Sequence, residues 1–166
     1  PADIAFCTTL REQDYTIIEQ DADGHCLFRC FSETLYGDPR FHAEVRARTI
    51  ANVTGPQWHS IKQYIPVPDE ASEEEAKLIY RSSIECTAKR TPWGGNIEIA
   101  ALSNIIGRNI TVHSHLRPNY THYPSTGSPS MTGVHISFHR GVHYNLLHPG
   151  PMSPSDEGAP ENTEIE

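Results

Sequence analysis

Apolar residues change period several times along the chain, and each change predicts an element. The first dozen residues predict a short helix ending near Glu12, and residues 14–20, with Tyr15, Thr16, Ile17 and Ile18 at their centre, predict a strand. Asp21, Ala22, Asp23 and Gly24 read as a turn. Leu27, Phe28, Phe31 and Leu35 then recur at helical spacing, so a strand runs through a tight loop into a helix. Tyr36 to Pro39 breaks that helix, and a second one carries Phe41, Val45, Arg48, Ile50 and Val53, with Asp38 as cap and Pro39 at its first position. Trp58, Ile61, Tyr64 and Ile65 predict a short helix, residues 72–81 an exposed helix with one apolar edge, and Ile97 through Ile106 an apolar helix ending at Gly107. Strands follow at residues 109–113, 134–138 and 143–147, the first two separated by a long loop over residues 114–133. The fold class is therefore α+β, a small sheet with a helical layer. Residues 1–148 form one domain, and residues 149–166, rich in Pro, Ser and acids with nothing to bury, form a disordered tail.

Charge sharpens this picture. The 166 residues carry 13 Lys and Arg against 21 Asp and Glu, a formal charge of -8. Five of the acids (Asp156, Glu157, Glu161, Glu164 and Glu166) lie in the tail, which leaves the domain near neutral at -3. No basic stripe is available for phosphates, so nucleic acid is not an expected partner. The longest apolar runs are about five residues, far short of a membrane span. No signal-peptide pattern opens the chain. Four cysteines, Cys7, Cys26, Cys30 and Cys86, are too few and too irregular for a disulfide scaffold and lack the two-residue spacing of a zinc site. They read as reduced thiols in the cytoplasm or nucleus, where the sequons at Asn52, Asn109 and Asn119 are chance.

The chemistry concentrates at Cys26. It falls in the first turn of a helix, directly after a glycine-containing loop, where unpaired N–H donors and a partial positive charge favour a thiolate and can receive an oxyanion. Asp23, three residues earlier, is placed to cap that helix and fix the loop, and Gly24 lets the backbone approach a substrate. Acyl transfer through a thioester needs such a nucleophile, and also a base held by a third group. His143 and Asn145, two apart in a predicted strand, project from one face, so the Asn145 amide can hold the imidazole in one tautomer. Spacing alone does not place that strand beside Cys26.

The segments Asp23-Gly24-His25-Cys26-Leu27-Phe28-Arg29, Trp93-Gly94-Gly95-Asn96-Ile97-Glu98 and residues 135–145, ending in His143-Tyr144-Asn145, together resemble the ovarian-tumour (OTU) family of deubiquitinating cysteine proteases, its cellular subgroup more than the viral one. The resemblance spans roughly residues 14–147. It implies a papain-like α+β fold, Cys26 as nucleophile, His143 as general base and acid, Asn145 as the orienting residue, and an oxyanion hole made by backbone N–H groups of residues 23–26. It also implies ubiquitin and polyubiquitin chains as partners, a monomer, and no cofactor. His25 departs from the Asn usual in the family. Only the backbone is asked to contribute there, so activity is expected to survive. Two rivals remain: a non-catalytic ubiquitin-binding module of the same fold, and a protease for another ubiquitin-like modifier.

Trp93, Gly94 and Gly95 carry two readings of equal weight. By resemblance they line the channel for the ubiquitin tail with its two glycines; otherwise Trp93 is a core anchor and the glycines start a helix. Cys30, one turn beyond Cys26, reads as packing. His135, His139 and His143 recur every fourth residue, yet the interleaved apolar residues place them on strand and turn, where they do not converge on a metal. His113 and His115 read as strand ends. The acids at 69–75 read as a solvated helix start, or more sharply as a contact for the basic face of ubiquitin.

Overall fold

The computed structural model describes residues 2–125 and 132–150. Among the described residues there are six α-helices: α1 (Ala2–Glu12), α2 (Cys26–Tyr36), α3 (His42–Val53), α4 (Trp58–Ile61), α5 (Glu73–Ile84) and α6 (Asn96–Ile106). Five strands, β1 (Tyr15–Ile18), β2 (Ile110–Ser114), β3 (Tyr120–His122), β4 (Val134–His139) and β5 (His143–Pro149), form one sheet in the order β1-β5-β4-β2-β3. The β2–β4 pair is parallel and the other three described pairs are antiparallel. The α+β class expected from the periodicity is the observed one.

Three apolar clusters hold the layers together. One face of the sheet, through Ile110, Ile136, Phe138, Tyr144 and Leu146, packs on Leu27, Phe28 and Phe31 of α2 and on Ile99 and Leu102 of α6. Each of these large side chains contributes about 1.5–3 kcal/mol on burial, so this cluster is the main fixture of α2. Helices α3 to α6 share a second cluster around Val53, Trp58 and Tyr80. On the opposite face of the sheet, Phe6 and Leu10 of α1 cover Leu147.

Local chemistry sets the helix ends. Gly37 adopts φ +70° and closes α2 by donating its N–H to the Glu33 carbonyl. Asp38 caps a 3-10 turn over Pro39–Phe41 that leads into α3. Ser72 and Glu75 bond each other's backbone at the start of α5, and Glu73, Glu74 and Glu75 occupy its first turn, the solvated acidic start anticipated from sequence.

Two expectations are corrected. The long loop contains β3, a three-residue edge strand whose Thr121 hydroxyl meets that of Thr111 at 2.9 Å. Pro149, expected in the tail, is the last residue of β5 and pairs with Tyr15. A proline is tolerated there because the ladder ends at that position. The rest of the expected tail, residues 151–166, lies outside the described residues.

Candidate active site

Cys26 is the first residue of α2, buried at the edge of the sheet. Its sulfur receives the Tyr144 N–H at 3.3 Å and lies 4.0 Å from the Val142 carbonyl oxygen. The sulfur is thus held against β5 on both sides of His143. His143 Nε2–H donates to Asn145 Oδ1 at 2.8 Å, and the Gln20 backbone N–H donates to the same oxygen at 2.8 Å. With Nε2 so engaged, Nδ1 carries the lone pair, and that atom is buried without a protein partner. The Cys26 sulfur is therefore held against the backbone that flanks His143, and the His143 ring is fixed by Asn145 with its other nitrogen left unpaired.

Electrostatics at the sulfur run against the simplest reading of a helix N-terminus. Burial pushes the Cys26 thiol up, and the Tyr144 and Leu27 N–H groups pull it back in part. The proton stays on sulfur until a base takes it. Cys30 is fully buried among the core residues, and burial pushes its thiol well up.

The loop before Cys26 is stiffer than its sequence reveals. Asp23 does not cap α2, whose first residue follows His25 with no side-chain cap. Its Oδ1 instead accepts the His25 N–H at 3.1 Å, and its carboxylate pairs with Arg29 one turn into the helix. This consumes the His25 N–H, leaving the Cys26 N–H as the loop donor beside the sulfur. Gly24 is buried at φ +88°, where a Cβ would stand 2.8 Å from Thr91 Cγ2 and 2.9 Å from the Thr91 oxygen. Glycine is needed there for the fold itself. The His25 ring stacks on His42 with centroids 4.2 Å apart.

Beneath the loop lies Arg46, a residue the sequence reading passed over. Its guanidinium, 4% exposed, donates to the carbonyls of Ile84 and Pro92 at 2.8 Å and of Gly24 at 3.0 Å, and stands over the Phe28 ring at 4.4 Å. The signal was present: Arg46 shares the α3 stripe of Ile50 and Val53, whereas Arg48, assigned to that stripe from sequence, is exposed.

A groove of about 1320 Å³ runs past Val142 and Tyr144, lined on one side by Trp93, Gly94 and Gly95 and on the other by Arg117 and Tyr120. Trp93 is 42% exposed and belongs to no core cluster, so it serves the groove. Gly94 serves the core, since a Cβ would lie 2.7 Å from Leu27 Cδ2. Gly95 donates its N–H to Glu98 Oε1 at 2.7 Å, and Glu98 also accepts from Tyr80 at 2.6 Å, which anchors the start of α6.

The histidines do not converge on an ion. His135 Nδ1 lies 3.0 Å from His113 Nε2, and burial with that neighbour pushes His113 down to about 4, so this residue near the end of β2 is a buried neutral group. Among the described residues, Asp3, Cys7 and His139 form a group whose ligand atoms lie within 4.8 Å of one another. Both nitrogens of His139 are already committed to Asp3 and Ser137, which leaves no lone pair for a metal.

Comparison with known proteins bears on this geometry. The family model described as OTU-like cysteine protease matches residues 21–146. OVARIAN TUMOR DOMAIN-containing deubiquitinating enzyme 7 of Arabidopsis thaliana is 28% identical over 134 residues, covering 79% of this chain and 32% of that protein. OTU domain-containing protein 5 of Homo sapiens is 27% identical over 153 residues, covering 86% and 24%. The chain thus spans only about a quarter to a third of these relatives' length. Among solved structures, the OTU domain of OTUD1 superposes with a TM-score of 0.68 at 21% identity, covering 89% of this chain and 95% of that one. The Hazara virus OTU bound to ubiquitin gives 0.56 at 19% identity, covering 86% of each. These two likenesses concern the fold.

Proposed function

We propose, from the premise that this chain belongs to the OTU family of cysteine proteases, that it hydrolyses isopeptide bonds at the ubiquitin C-terminus through a thioester on Cys26. The observation that carries the reading is the sulfur of Cys26 held against the backbone on either side of His143, whose ring is fixed at Nε2 by Asn145 and unpaired at Nδ1. The names of the relatives, which describe deubiquitinating enzymes, add to it.

The chemistry follows from the protonation states. Because burial keeps the proton on sulfur, His143 Nδ1 takes it as Cys26 attacks the carbonyl of the C-terminal glycine. The new oxyanion faces the Cys26 N–H at the start of α2. The imidazolium, steadied by Asn145, gives its proton to the departing lysine amine as the C–N bond breaks. Water then enters, loses a proton to His143 and attacks the thioester; the carboxylate leaves and the thiol is restored. No step calls for a cofactor. The groove beside Trp93 takes the C-terminal tail, and the acidic first turn of α5 meets the basic face of ubiquitin. The protein acts as a monomer in the cytoplasm or nucleus.

His143 exchanges protons in both half-reactions and Asn145 only orients it. His143→Ala therefore lowers kcat/KM by at least about 10³-fold and Asn145→Ala by about 10–100-fold, measured on one substrate preparation. Equal losses would contradict the division of roles. Release of a fluorophore from a ubiquitin C-terminal amide tests the function itself. Turnover supports the reading. Binding without turnover identifies a ubiquitin-binding module, and turnover of a different modifier alone transfers the activity to that substrate.

A further inference from the structure

The cross-strand neighbour of His143 is His139, and the side chains around it are arranged to hold it still. The two residues pair across the β4–β5 ladder with ring centroids 6.1 Å apart. His139 is 1% exposed. Its Nδ1–H donates to Asp3 Oδ1 of α1 at 2.8 Å, and the Ser137 hydroxyl donates to Nε2 at 2.7 Å. Phe6, one turn along α1 from Asp3, packs on the ring at 5.3 Å. The second carboxylate oxygen of Asp3 accepts from Arg140 at 3.0 Å. None of these groups takes part in the hydrolytic steps, yet a buried imidazole with both nitrogens satisfied, placed against the catalytic strand, is a specific arrangement.

We propose that His139, locked between Asp3 and Ser137, is a positioning residue for His143, and that docking of α1 through Asp3 is thereby required for full turnover. The inference rests on His143 being the proton carrier. Two effects act together. The locked ring occupies the space beside the His143 ring and limits its rotamers. The Asp3 carboxylate, beyond that ring, favours the positive charge His143 acquires when Cys26 attacks. The other titratable groups around the pair are Cys7 on α1, His115 past β2 and Arg140 in the β4–β5 turn, the last two acting on Asp3, and Cys26 on α2 against the backbone next to His143. Arg140 opposes a positive His143. Removing the Asp3 charge alone therefore shifts the balance in one direction, against the imidazolium.

Asp3→Asn is the decisive variant, since an amide keeps the size and the oxygen that accepts from Nδ1–H while losing the charge. The expected result is a fall in kcat of about tenfold with KM held within about twofold. The acidic limb of the kcat/KM profile, below which His143 is already protonated and cannot take the Cys26 proton, moves to lower pH. Asp3→Glu recovers most of the rate. A purely structural role would lower the amplitude and leave the limb in place, so an Asp3→Asn profile that superimposes on the wild type, whatever its Tm, overturns the proposal. If the wild type does not turn over ubiquitin, the functional reading fails by itself. The pH dependence of Cys26 alkylation by iodoacetamide, followed by peptide mass, then decides the inference: a lower plateau with the acidic limb displaced to lower pH in Asp3→Asn upholds it, and an unchanged profile overturns it.

Discussion

Cys26→Ala is expected to abolish release of a fluorophore from a ubiquitin C-terminal amide, a loss of at least about 10⁴-fold, while Cys30→Ala keeps activity within about threefold. The two thiols lie one turn apart on α2, and their surroundings differ in every respect that matters for nucleophilic attack. Cys26 Sγ accepts the Tyr144 N–H, faces the Val142 carbonyl and sits at the helix start, where backbone donors are unpaired. Cys30 is sealed in the apolar cluster with Phe28, Phe31 and Ile136. Burial pushes both thiols up, and the Tyr144, Leu27 and Cys26 N–H groups pull Cys26 back, against the Cys30 N–H alone at Cys30. Truncating Cys30 removes a small buried hydrophobe and costs about 1–2 kcal/mol of stability, to be read as a lower Tm with kcat/KM nearly intact. Activity that survived Cys26→Ala and vanished in Cys30→Ala would reverse the assignment.

The second large effect belongs to Arg46→Met. Methionine matches the volume of the site and its apolar surroundings, but it leaves the carbonyls of Gly24, Ile84 and Pro92 without donors. Each buried acceptor so abandoned costs about 1–3 kcal/mol, and the losses overlap, so a total near 3–5 kcal/mol is expected. The functional loss has a separate origin. Arg46 ties the loop before Cys26 to the segment before Trp93, the two pieces of backbone that flank the sulfur and the groove. Without it they drift independently, and kcat/KM falls by about 100-fold even well below the Tm. Arg46→Lys restores charge but not the fork that spans three carbonyls, so it recovers only part of either quantity. Thermal melts and steady-state kinetics on the same samples separate the two effects. A stable Arg46→Met with normal kinetics would show that the bridge does not position the loop.

These residues also mark how far the sequence was legible. Helices α2, α3 and α6 and the four longer strands were legible from residue pattern, α5 only from one apolar edge, and the Cys26 and His143 segments carried the chemistry. What joins them is not local. The strand that carries His143 lies against Cys26 because β5 pairs with β1 through Ile17↔Leu147 and Ile18↔Leu146, a contact across most of the chain that no periodicity encodes. Edge strand β3 was missed because its three residues, Tyr120, Thr121 and His122, neither alternate nor bury an apolar face. Asp23 was read as a cap since its position relative to the helix suits one, whereas the turn at Gly24 swings its carboxylate onto the His25 N–H and Arg29. Arg46 lay on the buried stripe of α3, and a charge there was a signal in itself. The pairing of Asp3 with His139 joins residues from opposite ends of the domain and is visible only once α1 lies across the sheet.

The central claim is that Cys26, activated by His143, attacks the C-terminal carbonyl of ubiquitin. Ubiquitin carrying a C-terminal electrophile, incubated with the protein and followed by intact mass and peptide mapping, addresses it most directly. The account predicts one adduct per chain, on Cys26, with Cys7, Cys30 and Cys86 unmodified and no adduct after His143→Ala at the same exposure. Absence of any adduct in the wild type, or an adduct on another cysteine, would contradict it.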